Sequence, residues 1–203
     1  MHAEENARKR IASDLHDNIG AYAAAISANV DELHSETAAD PQTLVSLKAN
    51  VSEIMTSLRD TIWALSKDAV TLTSLSDRVK VYVQKIQPSY KNVRITVEED
   101  IRRDIVLTPQ NALQIFRILQ ESVNNSLKHS KCSRLTVVFE SDGICHIVIE
   151  DDGKGFDPAQ PAHKGNGMVN MRYRADEAGI ALDFSRVMPK GMRLTLSFGG
   201  SNN

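Results

Sequence analysis

Glu121-Ser122-Val123-Asn124-Asn125-Ser126-Leu127-Lys128-His129 closes a long helical stretch, and Asp151-Asp152-Gly153-Lys154-Gly155-Phe156 follows directly on a strand. With Gly165-Asn166-Gly167-Met168 at the opening of a later helix, these runs decide how the rest of the chain is read. In the first, Glu121, Asn125 and Lys128 or His129 fall three or four residues apart, on one helix face. A carboxylate and an amide oxygen beside cations are hard ligands suited to Mg²⁺ and its waters, with the cations facing phosphate oxygens. Such a face also occurs as plain solvated surface. In the second run, an aspartate at a strand end can accept a hydrogen bond from an exocyclic amine such as that of adenine. Two glycines spaced by one residue let the backbone come close to a ligand, although an ordinary turn after a strand has the same composition. Glycines leading into a helix, as in the third run, present amide donors and a positive dipole end to phosphate. A plain helix start looks the same, so order and spacing of the three runs together carry more than any one. No P-loop pattern occurs. The stretch holding Pro158, Pro161 and His163 has little apolar content and reads as a short lid.

Around these runs the periodicity alternates between helix and strand. A helix is expected from Leu75 to Gln87, stopped by Pro88, before a strand at Val93-Arg94-Ile95-Thr96-Val97. Leu107 to Ser130 reads as one long helix with Thr108 as its cap and Pro109 in its first turn. Strands are expected at 135–139 and 144–149, with Ser141-Asp142-Gly143 as the hairpin turn between them. Met168 to Ala178 is helical and ends at Gly179. Two further strands, 181–185 and 193–198, are joined through Pro189-Lys190-Gly191. Late hairpins mixed with helices predict an α+β sandwich rather than a doubly wound parallel sheet.

The first third of the chain has a different period. Ile11, Leu15, Ile19, Tyr22, Ile26, Val30 and Leu33 form one apolar stripe at spacings of three or four. Ser35 to Pro41 breaks it, and a second stripe runs through Leu44, Leu47, Val51, Ile54, Leu58, Ile62 and Leu65. Two stripes joined by a short connection predict an antiparallel helical hairpin. A hairpin cannot cover both stripes alone, so pairing with a second copy into a four-helix bundle is expected. The boundaries that follow are residues 1–67 for a dimerising hairpin and 68–203 for the α+β domain.

Composition narrows the classes further. The 203 residues carry 24 Lys and Arg against 26 Asp and Glu, a net charge of −2 that argues against nucleic-acid binding through a general basic field. With 41% hydrophobic and 25% charged residues, the chain can build a core. Its two cysteines, Cys132 and Cys145, have no metal-ligand spacing and predict neither a disulfide scaffold nor an oxidising compartment. No apolar run approaches the roughly twenty residues that a membrane span needs. A soluble, intracellular protein is expected, or one piece of a larger membrane protein.

The three runs resemble the N, G1 and G2 boxes of the Bergerat-type ATP-binding domain shared by histidine kinases, gyrase, Hsp90 and MutL, over roughly Thr73 to Gly199. The resemblance implies ATP and Mg²⁺ as ligands. It places Mg²⁺ on Asn125, an ordered water on Glu121, and the phosphates near Lys128 and His129. It gives adenine selection to Asp151, with Gly153 and Gly155 admitting the base and Gly165, Gly167 and Met168 at the phosphate tail. Where related domains commonly have Gly-Thr entering a late strand, this chain has Gly191-Met192, a departure that bears on nucleotide affinity and not on identity.

Arg10-Ile11-Ala12-Ser13-Asp14-Leu15-His16-Asp17-Asn18-Ile19-Gly20 puts a histidine at the shoulder of the first stripe, with an acidic neighbour. A carboxylate beside an imidazole can hold its proton and leave the other nitrogen nucleophilic. The run is similar to the phosphoacceptor helix of the histidine-kinase subfamily typified by nitrate/nitrite sensors and the bacterial membrane-fluidity sensor. That resemblance implies His16 as phosphoacceptor and Asp17 as its acid/base. It also implies a homodimer and transfer to an aspartate of a response regulator carrying a helix-turn-helix output domain, with no nucleic-acid contact by this chain. Subfamily members with phosphatase activity usually carry glutamine five residues after the histidine. Here that residue is Ala21, so a kinase-biased enzyme is expected. An upstream sensor region, cytosolic or in the bacterial inner membrane, is expected to precede this cytoplasmic portion. Two other readings stay open: a signalling dimer that binds nucleotide without catalysis, and a Bergerat-type ATPase or protein-serine kinase.

Overall fold

The chain divides into two units, Met1–Asp68 and Ala69–Asn203. A computed structural model describes residues 70–155 and 167–199 of the second. Of the first it describes Ile26, Val45, Ser46, Leu47, Asn50, Val51, Ile54, Met55, Leu58, Asp60, Thr61 and Trp63, each of them helical. Leu47, Val51, Ile54 and Leu58 of the expected second stripe are therefore in helix. His16, Asp17, Ala21 and the Ser35–Pro41 connection lie outside the described residues, as do Gly165 and the stretch read as a lid.

The second unit begins with a two-residue strand, β1 (Val70–Thr71), and a helix, α1 (Leu72–Ile86). Strands β2 (Arg94–Ile101) and β3 (Val106–Leu107) follow, then helix α2 (Pro109–Asn125). The hairpin β4 (Arg134–Ser141) and β5 (Ile144–Asp151), helix α3 (Gly167–Ala178), and the hairpin β6 (Ala181–Arg186) and β7 (Met192–Gly199) complete it. Helix α1 starts three residues before its expected position because Thr71 and Ser74 cap each other. The Ser74 amide donates to Thr71 Oγ1 at 3.2 Å, and the Thr71 amide donates to Ser74 Oγ at 3.0 Å. Pro88 sits in the short 3₁₀ turn Gln87–Ser89 that ends α1.

The main sheet has five strands in the order β2-β4-β5-β7-β6. Only β2 and β4 run parallel, and the other three pairs are antiparallel, which makes the sheet mixed as expected of an α+β domain. Side chains alternate between faces along a strand. Leu135, Val137 and Phe139 of β4, Cys145, Ile147 and Ile149 of β5, and Leu194 and Leu196 of β7 are all buried. Thr136, Val138, Val148 and Thr195 between them are only half-buried. One face thus carries the core, and α1, α2 and α3 pack against β2, β5 and β6 respectively. Val79, Phe116, Ile115, Leu119, Val123, Met171 and Ala175 supply the helical half of that core. The sheet is one layer and the helices the other.

Two differences from the expected elements bear on the site. Leu107 belongs to β3, paired with Val70, so α2 begins only at Pro109, with its Asn111 amide donating to the Thr108 hydroxyl at 3.1 Å. At the other end α2 stops at Asn125, and the backbone widens into one π-helical turn, Ser126–Ser130, closed by Lys131 at φ 56°. Both cysteines are buried and free, and burial pushes the Cys145 thiol up to about 12, so it is inert packing.

Candidate functional site

The alternation that buries Cys145, Ile147 and Ile149 carries Asp151 onto the same face at the end of β5, 2% exposed. A carboxylate placed there needs donors. The Ser126 hydroxyl, at the first position of the π turn, donates to Asp151 Oδ2 at 2.7 Å, and the Gly153 amide donates to Oδ1 at 2.9 Å. An ionised carboxylate has about four acceptor positions, so two bonds leave it capacity for a ligand donor. Ser126 is the residue that sequence reasoning missed. Its partner lies 25 residues away, and a serine beside Asn125 on a helix gives no signal of its own.

Glycines fit this end of the site because backbone meets backbone. A Cβ on Gly153 would run into the carbonyl oxygen, Cβ and hydroxyl of Ser130. The Lys154 amide donates to the Ser130 carbonyl at 2.8 Å, and the Ser130 hydroxyl donates to the Ser126 carbonyl at 2.7 Å. The loop after β5 is thereby fastened to the widened end of α2. Gly155, at φ 74°, approaches Gly191, at φ 131°, and a Cβ on Gly191 would strike the Asp151 carbonyl oxygen. Met192 stands opposite Asp151 in the β5–β7 register. Its glycine neighbour is thus required by a close approach, whereas the residue after it tolerates a long side chain that is half-buried.

Asp152 faces the other way. Its carboxylate accepts from the Ser133 amide at 2.7 Å, the Ser133 hydroxyl at 2.7 Å and the Arg134 amide at 2.9 Å. Desolvation pushes its carboxyl up. The Ser133 hydroxyl, the two amides and the Arg134 charge outweigh that and bring it down to about 2.

The other expected residues cluster where α2 meets α3. Asn125 Nδ2 donates to Glu121 Oε1 at 3.1 Å, which confirms that i,i+4 neighbours share a face. Gly167, the first residue of α3, lies directly on them: a Cβ there would run into Glu121 Oε1 and come within 3.3 Å of Asn125 Nδ2. Met168 follows in the first turn, half-buried. Glu121, Asn125 and Gly167 are thus brought together, with Met168 next in the chain, while Lys128 and His129 stand exposed on the π turn. Among the described residues no group of three or more His, Cys, Asp or Glu side chains could hold a metal. With Asn125 Nδ2 committed to Glu121, its Oδ1 is a hard donor of the kind that Mg²⁺ takes together with waters and substrate phosphates, and the donor set fits that ion. No described helix is long and apolar enough to cross a membrane.

Comparisons with known proteins give the family and the fold. Residues 110–198 match the family described as histidine kinase-, DNA gyrase B- and HSP90-like ATPase, and residues 7–70 match one described as histidine kinase. The sensor protein VraS of Staphylococcus haemolyticus is 30% identical over 194 residues, covering 94% of this chain and 54% of the relative. VraS of Staphylococcus aureus is 29% identical with the same coverage, so the chain spans about half the length of the curated relatives it matches. Among solved structures, the Acinetobacter baumannii histidine kinase AdeS superposes with a TM-score of 0.61 at 13% identity, covering 92% of this chain and 98% of that one. The Erythrobacter litoralis EL346 blue-light activated histidine kinase gives 0.62 at 14% identity, with 95% and 63% covered. At such identities these two likenesses show the fold.

Proposed function

Because the chain belongs to the histidine kinases and its second unit is their ATP-binding domain, we propose that it autophosphorylates on His16 and passes the phosphoryl group to a response regulator. The observation that carries this reading is Asp151, a carboxylate buried at a strand end and held by one hydroxyl and one amide. Its spare acceptor capacity suits the exocyclic amine of adenine, with Gly153 and Gly155 bringing backbone close to the base. The phosphates then extend toward Asn125 and the opening of α3 at Gly167 and Met168, with Gly165, Lys128 and His129 beside them. Asn125 Oδ1 would hold Mg²⁺ and Glu121 a water at it. The ion supplies neutralisation of charge on the phosphates.

His16 attacks the γ-phosphorus in line. The bond to the bridging oxygen breaks, ADP leaves, and Asp17 takes the imidazole proton. Positioning and charge neutralisation supply most of such catalysis. The phosphoryl group moves next to an aspartate of the regulator, which carries the helix-turn-helix output, so this chain has no DNA contact of its own. Residues 1–67 would form the dimerising hairpin and 68–203 the ATP-binding domain. Ala21 supports a kinase with weak or no phosphatase activity, since a methyl group orients no water.

The test is incubation with γ-labelled ATP and Mg²⁺, wild type beside His16→Ala, followed by acid and alkali washes. Acid-labile, alkali-stable label that is lost in His16→Ala is expected. Nucleotide binding without label would replace the kinase by a nucleotide-binding signalling dimer, and acid-stable label would replace it by a serine kinase. Rapid ADP-stimulated release of phosphate from a phosphorylated regulator would overturn the kinase bias.

A further inference from the structure

Helix α3 is held to the domain by little apolar surface: Met171 and Ala175 are its buried residues. Two side chains anchor a helix on a core but fix its axial position weakly, because apolar contact is non-directional. Hydrogen bonds are directional, and three contacts between α2 and α3 fall in strict antiparallel order. Near the start of α2, Asn111 Nδ2 donates to the Ala178 carbonyl at 3.3 Å. Further along, Arg174 Nη1 donates to Gln114 Oε1 at 2.9 Å. At the end of α2, Glu121 and Asn125 receive Gly167. As α2 advances, its partners on α3 recede. Gln114 is 1% exposed, so its amide belongs to the packed interior and the hydrogen bond from Arg174 reaches a side chain that is itself held in place.

We propose that Arg174 and Gln114 form a register pin that holds the first turn of α3 against Glu121 and Asn125, and so sets affinity for the phosphates of the nucleotide without touching it. The proposal rests on the reading of the site given above. The pin lies about two helical turns from Gly167, and one residue of axial slide is about 1.5 Å. Such a slide would carry Gly167 off the Glu121–Asn125 pair, against which it now packs closely enough that a Cβ would displace the Glu121 carboxylate. Asp151 sits on the sheet and is fastened by Ser126 and Gly153, so it does not move with α3. The adenine end and the phosphate end of one ligand are thereby decoupled. Arg174 and Gln114 are positioning residues, not catalytic ones.

The experiment is ligand-observed NMR titration of the full chain with adenosine and, separately, with Mg²⁺-ATP. Arg174→Met removes the donor and keeps a flexible apolar stem, whereas Arg174→Lys restores a single donor. For Arg174→Met, ATP affinity is expected to fall about tenfold while adenosine stays within about twofold, since a misplacement of about 1 Å acts only on groups that contact α3. Arg174→Lys is expected to recover most of the ATP affinity. Equal losses for both ligands, or none for either, would overturn the pin. Should Arg174→Met fail a thermal-melt check of folding, Gln114→Met and Asn111→Ala make the same comparison. Wild-type chain that binds neither ligand would overturn the reading of the site itself, a result separate from any difference among variants.

Discussion

The two ends of the candidate site are built by different physics. At Asp151 the carboxylate is buried and both oxygens are engaged, and its loop is fixed by main chain pressed against main chain at Gly153 and Ser130 and at Gly191 and Asp151. At Glu121 and Asn125 the side chains are half-buried, one 3.1 Å hydrogen bond joins them, and their alignment with Gly167 depends on how two helices register. The first end is held by hydrogen bonds and close backbone approaches. The second is assembled from separable parts and can respond to what binds there. Damage at the first should therefore cost folding and binding together, and damage at the second should cost binding alone.

The largest effect that tests this contrast is Asp151→Asn. An amide donor would then face either the Gly153 amide, leaving a buried donor unpaired at about 1–3 kcal/mol, or the Ser126 hydroxyl, which would have to turn from donor to acceptor. The proposed acceptor for adenine weakens at the same time, and affinity for ATP and adenosine alike is expected to fall about a hundredfold. Calorimetric melting and the adenosine titration read the two effects, and a variant that lost affinity at full stability would break the contrast. A matched pair of glycine substitutions sharpens it. Gly153→Ala drives a Cβ into the Ser130 backbone, which cannot swing away, and should cost about 1–3 kcal/mol of stability. Gly167→Ala meets the far end of the Glu121 side chain. That carboxylate can rotate aside, so stability should change by less than about 1 kcal/mol while ATP affinity drops. Equal melting temperatures for the two variants would show that the ends do not differ in rigidity.

Ser126→Ala comes next in size. It removes the donor to Asp151 Oδ2 and leaves the Gly153 amide in place. Loss of a hydrogen bond to a charged group costs about 1.5–3 kcal/mol, here shared between stability and adenine affinity. Adenosine and ATP should weaken by the same factor. A loss confined to ATP would move Ser126 to the phosphate end and out of its present role.

What the sequence made legible follows the same division. Residues whose role depends on local spacing were readable: Glu121 and Asn125 share a face because helix period demands it, and Asp151 is buried because strand period demands it. Thr108 and Pro109 announced the start of α2 for equally local reasons. Contacts across the fold left no such trace. Ser126 becomes a donor only because the end of α2 packs beside β5. The π turn that carries Lys128 and His129 is closed by the Ser130 hydroxyl on the Ser126 carbonyl and lies against Gly153, neither of which the local sequence announces. Strand β2 runs on through Glu98, Glu99 and Asp100, which look unlike a strand, because its parallel register with β4 pairs them with Val138, Phe139 and Glu140. Helix α3 reads as an ordinary helix in isolation, and its polar register with α2 exists only in three dimensions.

Asp152 gives the smallest effect and tests the outer edge of the rigid end. Its carboxyl sits at about 2 in the folded chain, against roughly 4 for an unfolded aspartate. A group with its pKa lowered by folding contributes stability that is fully present above the unfolded value and is lost as pH falls through the folded one. The window is therefore about pH 4 down to 2. Above it, the ionised carboxylate ties the loop after β5 to the start of β4 through Ser133 and Arg134. Because the group is partly exposed, screening leaves only about 1 kcal/mol of the contribution. Asp152→Asn keeps one acceptor oxygen but loses the charge, so it should melt slightly below wild type at neutral pH. The gap should close as pH drops from about 4 to 2, where the wild-type carboxyl protonates and becomes the variant's equal. Subtracting one melting curve from the other at each pH cancels the other carboxylates. A gap that stayed constant down to pH 2 would mean that the Ser133 and Arg134 bonds hold the loop by geometry alone, and that charge adds nothing to the rigidity of the Asp151 end.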